Sequence, residues 1–377
     1  MRIAFFADSY KPYLSGVTIS AEILVNELRA LGHRVYVLAP RYPKHADTDT
    51  DIIRFPSFSG GYPKFRLAIP IVRDIPEVDI IHSHSPFQAG LLARFVARQR
   101  RVPFVYSFHT FFTRYVHYAR FVPKALAKMG IVAYLRAFCR GADQIITPSD
   151  MAKRVLRAWG IQTPIEVIPS GVELHRYPEN FEEARKKLRH KFGIGENDKV
   201  LLYAGRISKE KNIPFLLRAF ERLTAEQLTA NRLQLLLIGG GPLAEKLKAQ
   251  RSKIKNVILT GEVPYPEILS YYLIGDIFVF SSLTETQGLV LAEAKAAGLP
   301  VVALFAGGLV NTVRSGIDGY LVRRNLDAYV EHLKRLLEDD GLRHKMALAA
   351  REDARERFAS FVVAKKIESV YNSLVSE

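Results

Sequence analysis

The chain has 377 residues, 48% hydrophobic and 24% charged, a globular composition long enough for two ordinary domains, each with its own core. Its single cysteine, Cys139, forms no internal disulfide and no Cys–His cluster offers a structural zinc site, so nothing points to an oxidising compartment and the cytosol is the expected location. The opening MRIAFFADSY reaches Asp8 too soon for a signal-peptide core, and no run approaches 18 uninterrupted apolar residues, so no spanning segment is expected.

Residues 2–7, RIAFFA, form an apolar run that ends in the polar turn DSYKPYLSGV; a helical pattern over 18–31 and a second apolar run, HRVYVLAP, follow. Strand, loop, helix, strand is the opening of a parallel doubly wound sheet, whose ligands lie beyond the carboxyl ends of the strands. Gly16 lies in the first loop, where a residue without Cβ lets the backbone approach a phosphate, although a lone turn glycine is more often only a turn. VDIIHSHSP and VPFVYSFHT then read as buried strands ending in histidine, which sets His82, His84 and His109 at the ligand-facing edge without the spacing of a metal motif.

The net charge is +16, and residues 80–142 contain no acid at all. Arg94, Arg98, Arg100, Arg101, Arg114, Arg120, Lys124, Lys128, Arg136 and Arg140 accumulate there, a field suited to a polyanionic partner. On a helix, Ile131, Tyr134, Leu135 and Phe138 share one side while Arg136 and Arg140 point to the other. Such a helix either docks on its own core with a solvated basic face or lies on a membrane surface, and the pattern leaves both open.

ADQIITPSD supplies a further strand, and Pro169, Gly171 and Pro178 mark a hinge. KVLLYAGRISKEKN opens a second strand, loop and helix unit, continued by LQLLLIGGGP, NVILTGEV, DIFVFSS and LPVVALFAGG, and the tail over 342–375 is charged and helical. Arg206 and Lys211 follow their strand closely enough for a guanidinium and an ammonium to neutralise a diphosphate. In SSLTETQGLVLAEAKAA, Glu285 sits in a turn and Glu293 on the helix that Gly288 introduces. A helix N-terminus after a parallel strand suits an anionic phosphate; taken alone, the two glutamates read more readily as a first-turn acid and a solvated helix residue.

The run TETQGLVLAEAKAAGLPVVA resembles the E-x7-E signature of the retaining family 4 glycosyltransferases, and SGV, FHT, IPSGVELHRY, GRISKEK and GGGP occur in that family's order. The resemblance implies a GT-B α/β architecture of two Rossmann-like doubly wound domains facing a cleft, with a C-terminal helix crossing back to the first. The expected boundaries are an acceptor- and membrane-facing domain over 1–170, a nucleotide-sugar domain over 171–355 and the returning helix over 356–377. It further implies that Arg206 and Lys211 bind the diphosphate, Glu293 the ribose and Glu285 a sugar hydroxyl. The amides of Gln287, Gly288 and Leu289 would cradle the donor, His109 would contact the transferred sugar, Gly16 would be the phosphate-loop glycine, and Val263 would meet the base through its backbone. His109, Glu285, Arg206 and Lys211 are thus the expected catalytic set, with no metal ligands and no tightly bound cofactor.

IIHSHSPFQAGLLARFVA, SFHTFFTRYVHY and TETQG are similar to 1,2-diacylglycerol 3-glucosyltransferases. This implies transfer of glucose from UDP-glucose to diacylglycerol with retention, on the cytoplasmic face of a membrane whose anionic surface meets Arg114, Arg120, Lys124, Lys128, Arg136 and Arg140. Phosphatidylinositol or a soluble acceptor, a UDP-sugar 2-epimerase, and a non-catalytic basic module are the competing readings; the E-x7-E and GR…K pairing argues against a nucleic-acid partner. Leaving-group stabilisation by fixed cations would be the main catalytic term. Front-face attack is the family's expected retaining route, and a covalent Glu285 intermediate stays open beside it.

Overall fold

A computed structural model of the chain describes residues 1–59, 66–69, 71, 74–114, 122–226, 233–249, 255–265 and 267–376. The chain divides into two compact units: Met1–Gly171 together with Ser360–Glu377, and Val172–Ala359.

In the first unit the chain runs β1 (Arg2–Phe6), α1 (Gly16–Ala30), β2 (Arg34–Pro40), β3 (Ile52–Phe55), the short β4 (Ser57–Ser59) and β5 (Arg66–Ala68), and β6 (Ile80–Ser83). It continues through α2 (Gln88–Arg100), β7 (Phe104–Ser107), α3 (Lys124–Cys139), β8 (Gln144–Thr147), α4 (Asp150–Ala158) and β9 (Ile165–Val167). Seven strands pair in parallel in the order β3-β2-β1-β6-β7-β8-β9, and β4 and β5 form a separate antiparallel ribbon. Helices cover both faces, so the strands read as continuous apolar runs rather than alternating ones: only Arg2 of β1 is exposed.

The second unit runs α5 (Phe181–Lys191), β10 (Lys199–Ala204), α6 (Ile213–Ala225), β11 (Leu233–Ile238), α7 (Ala244–Ala249), β12 (Val257–Gly261), α8 (Ile268–Tyr271) and β13 (Ile277–Phe280). It ends with α9 (Leu289–Ala296), β14 (Val301–Leu304), β15 (Gly319–Val322), α10 (Leu326–Glu338) and α11 (Asp340–Asp353). Its six parallel strands take the order β12-β11-β10-β13-β14-β15. In both sheets the strand order reverses beside the first strand, between β1 and β6 and between β10 and β13, the place where doubly wound sheets open a crevice for ligands.

After α11 the chain passes through a π-helical turn, Ala354–Phe358, and then α12 (Ser360–Val375). Phe358 is buried in the core of the second unit, so the chain changes units at Ser360 and not at the expected residue 356. Within the first unit, Val363, Ala364, Ile367 and Tyr371 of α12 share a core with Ala21, Leu24, Val25 and Leu28 of α1. The Tyr371 hydroxyl meets Nδ1 of His82 at 2.5 Å, pinning the helix to the end of β6.

Candidate active site

The second unit's switch point is built by stitching the loop after β10 to the loop after β13. The Ser281 hydroxyl donates to the carbonyls of Lys211 (2.7 Å) and Asn212 (3.1 Å), and Lys211 Nζ reaches Glu285 Oε1 at 2.6 Å. Both side chains keep some exposure, 23% for Lys211 and 16% for Glu285. Burial alone would raise the pKa of Glu285, but the Lys211 charge and hydrogen bond, with a hydrogen bond from Ser282, hold it below the usual glutamate value. Glu285 is therefore a fixed anion with a cation already beside it. Arg206 is exposed three residues from Tyr203, whose hydroxyl donates to the Arg206 carbonyl at 3.0 Å.

Gly288 caps α9 with φ +76, a left-handed conformation that favours glycine, and it turns the chain so that Gln287, Gly288 and Leu289 form the helix N-terminus. Gln287 is buried and its carbonyl accepts the Thr312 hydroxyl at 2.9 Å. Gly308, in the loop after β14, is a requirement of the site: a Cβ there would lie 2.4 Å from the carbonyl oxygens of Glu285 and Thr286. The chain after β14 can thus lie directly against the Glu285 turn. Val263 is half-buried in the loop after β12 and packs on the unit's core.

Glu293 faces inward on α9. It is 4% exposed, and Tyr272 donates its hydroxyl to Oε2 at 2.6 Å. Burial pushes its pKa up to about 7, with Tyr272 opposing the rise. It is not the solvated helix residue that charge patterning would suggest. Behind it, Lys295 is fully buried, donating to the Thr312 carbonyl (2.7 Å), Asp318 (3.0 Å) and Asp353; Arg314 and Arg357 complete the cluster. Burial pulls the Lys295 pKa down while the two aspartates oppose that pull. Sequence reasoning missed this anchor of α9, because its members lie 58 residues apart in the chain.

In the first unit, the strands around the switch point bring three histidines and an aspartate together. His82 is a satisfied core histidine, with Ser107 Oγ at 2.8 Å from Nε2 and Tyr371 on Nδ1. His84 Nδ1 lies 3.1 Å from His109 Nε2, the two rings stacked at a centroid distance of 5.3 Å. Burial lowers all three pKa values, to about 3 for His82, to about 4 for His109 and well below 6.5 for His84. Asp8, at the end of β1, accepts the Ala89 amide at 2.8 Å and is raised in pKa by burial; its Oδ2 is buried without a partner. Gly16 opens α1 behind a capping box formed by Ser15 and Thr18. A Cβ at Gly16 would meet nothing within 4 Å, so the chain's own packing does not demand glycine there.

The basic stretch resolves in favour of the core for one helix face. Leu135 and Phe138 of α3 are each 1% exposed and belong to the first unit's core, with Ile131 and Tyr134 packed against it. The large apolar residues that α3 leaves exposed are Leu126 and Met129, and α2 exposes Leu91 and Phe95. Arg114, Lys124, Lys128, Arg136 and Arg140 are exposed, whereas Arg120 lies outside the described residues. Among the described residues no helix is long and apolar enough to cross a membrane.

Two family models match the chain: Glycosyltransferase Family 4 over residues 14–176 and Glycosyl transferases group 1 over residues 184–353. The alpha-monoglucosyldiacylglycerol synthase of Streptococcus pneumoniae is 35% identical over 80% of this chain and 71% of its own length. The protein of the same description from Acholeplasma laidlawii is 30% identical over 100% of this chain and 98% of its own. In fold, the crystal structure of Anabaena HepE in complex with UDP-glucose superposes with a TM-score of 0.74 at 20% identity, covering 99% of this chain and 100% of that one.

Proposed function

The chain belongs to the family 4 glycosyltransferases, both halves of the fold being matched, and from that premise we propose that it moves glucose from UDP-glucose to diacylglycerol with retention at the anomeric carbon. The observation that carries the donor reading is the second unit's switch point: the Lys211–Glu285 pair, exposed Arg206 and the amides of Gln287, Gly288 and Leu289 all belong to loops at one edge of the sheet. Arg206 and Lys211 would bind the diphosphate, Glu293 the ribose and Glu285 a sugar hydroxyl, with Val263 contributing its backbone to the base. As the glycosidic bond breaks, negative charge gathers on the departing diphosphate, and cations and helix-end amides already fixed in place stabilise that charge without reorganising. No metal ligand is assigned in this scheme. Lys211 keeps Glu285 ionised, so this carboxylate accepts hydrogen bonds from the sugar; the acceptor hydroxyl attacks on the face the diphosphate leaves, its oxygen bonding to the anomeric carbon as the bond to UDP breaks and its proton passing to the leaving phosphate. His109, from the first unit, would contact the transferred sugar, and Gly16 would lie at the phosphate loop.

The acceptor reading is supported by the two related synthases, named for glucosyldiacylglycerol, and by the exposed chemistry of α2 and α3. Lys124, Lys128, Arg136, Arg140 and Arg114 suit an anionic leaflet, and exposed Leu91, Phe95, Leu126 and Met129 suit shallow insertion beside those charges. The protein would therefore work as a peripheral enzyme on the cytoplasmic membrane face. The test is product analysis after incubation with anionic vesicles containing diacylglycerol and a panel of nucleotide sugars. α-Glucosyldiacylglycerol formed from UDP-glucose is the expected product. Transfer to phosphatidylinositol or to a soluble sugar alone would replace the acceptor, and an epimerised nucleotide sugar without transfer would overturn the reading.

A further inference from the structure

The first unit contains a small cavity of about 30 Å³ between the ends of the central strands, α1 and α12, lined by His84, Ser107, Thr147 and Ser170 among others. Two side chains that border it are buried and lack a partner at one polar atom: Nε2 of His84, 4% exposed, and Oγ1 of Thr147, 0% exposed. An unpaired buried donor or acceptor is destabilising, so two at one small cavity need a common explanation. A cavity of this size holds a water molecule when polar groups face it.

The remaining nitrogen of His84, Nδ1, lies 3.1 Å from Nε2 of His109. Both rings are neutral, because burial holds their pKa values below the physiological range. One proton therefore sits between the two nitrogens, and two arrangements are conceivable. If His84 carried it on Nδ1, both rings would be left as their Nδ1–H tautomers, the less favoured form of a free neutral imidazole. If His109 carries it on Nε2, both rings adopt the preferred Nε2–H form, and the Nε2–H of His84 points to the cavity in need of an acceptor.

We propose that His84 is a positioning residue for His109, accepting the Nε2–H of His109 on its Nδ1 and passing its own Nε2–H to one buried water that Thr147 holds. The directed chain runs His109 Nε2–H to His84 Nδ1, His84 Nε2–H to the water oxygen, and water to Thr147 Oγ1, each bond polarising the next. It leaves His109 Nδ1 unprotonated, an acceptor of hydrogen bonds that cannot donate one. The consequence for catalysis rests on the proposal that His109 contacts the transferred sugar; the tautomers and the water do not.

The test has three parts on the full chain. Long-range ¹⁵N–¹H correlation spectra of the ¹⁵N-histidine-labelled protein should show both His84 and His109 as Nε2–H tautomers, and an Nδ1–H signal from His84 overturns the chain. A crystal structure at high resolution should show one water within hydrogen-bonding distance of His84 Nε2 and Thr147 Oγ1; an empty cavity overturns the water. In kinetics, His84→Asn, which keeps an acceptor near the position of Nδ1, should stay within about threefold of wild type, whereas His84→Phe should lose roughly tenfold in kcat with the donor KM unchanged, the worth of about one hydrogen bond. Equal losses in the two variants overturn the positioning role. If the spectra and the water are as expected but His109→Ala and His84→Phe both turn over normally, it is the placing of His109 at the sugar that fails.

Discussion

The two sheets reverse their strand order in the same way beside their first strands, yet they furnish that place with opposite chemistry. The second unit sets out charge: a lysine paired with a glutamate at 2.6 Å, an exposed arginine and a helix N-terminus. The first sets out three histidines kept uncharged by burial, beside an aspartate whose pKa burial raises. Topology supplies a crevice, and side chains decide whether it suits an anion or the hydroxyls of a neutral molecule. The supports differ too. Helix α9 is anchored from behind by the buried Lys295 cluster, whereas α1 is held by apolar packing against α12.

The largest expected effect breaks the charged anchor. Lys295→Met leaves Asp318 and Asp353 buried around an apolar side chain, and urea denaturation should show a loss of about 3–5 kcal/mol. A loss below about 1 kcal/mol would mean that Arg314 and Arg357 suffice. Next come the cations of the anion site: Arg206→Ala and Lys211→Ala should each lower kcat by roughly 10²- to 10³-fold, with UDP competing against the donor in wild type. Normal turnover in either would remove that residue from the diphosphate. Glu285→Ala, made alongside, should fall mainly in kcat and Glu293→Ala mainly in donor KM, and steady-state kinetics with the reverse division would exchange their roles.

The pH dependence of stability follows from Glu293. Its folded pKa, about 7, lies above the ordinary value of 4.5, so the folded state binds the proton more tightly and stability falls as pH rises from about 4.5 to about 7. The full difference is about 3 kcal/mol by linkage. Glu293→Gln should abolish that slope, and denaturation of both proteins at pH 5 and pH 8 checks it. The smallest effect concerns the first unit's exposed face. Replacing Lys124, Lys128, Arg136 and Arg140 by glutamine should weaken binding to anionic vesicles by roughly tenfold or more at low salt and leave UDP affinity unchanged. Co-sedimentation across a salt series measures it, and unchanged sedimentation would make these charges a solvated face.

Much of the architecture was legible locally. Apolar runs closed by polar turns mark parallel strands buried on both faces, and Gly288 before a run of helix formers marks the start of α9, because strand burial and helix initiation depend on neighbours in the chain. The E-x7-E spacing likewise announced a carboxylate in a turn and a second on the following helix. What only the tertiary structure decided were the partners and the faces. Leu135 and Phe138 turn into the core while Leu126, Met129 and Phe95 stay out, since periodicity defines an apolar side without saying what covers it. Glu293 meets Tyr272, Lys295 meets Asp353 and His84 meets His109 across 21, 58 and 25 residues of chain. Burial and charge pairing at those distances set the ionisation of each group, and no local pattern encodes them, because the low-dielectric surroundings exist only once the sheets have assembled.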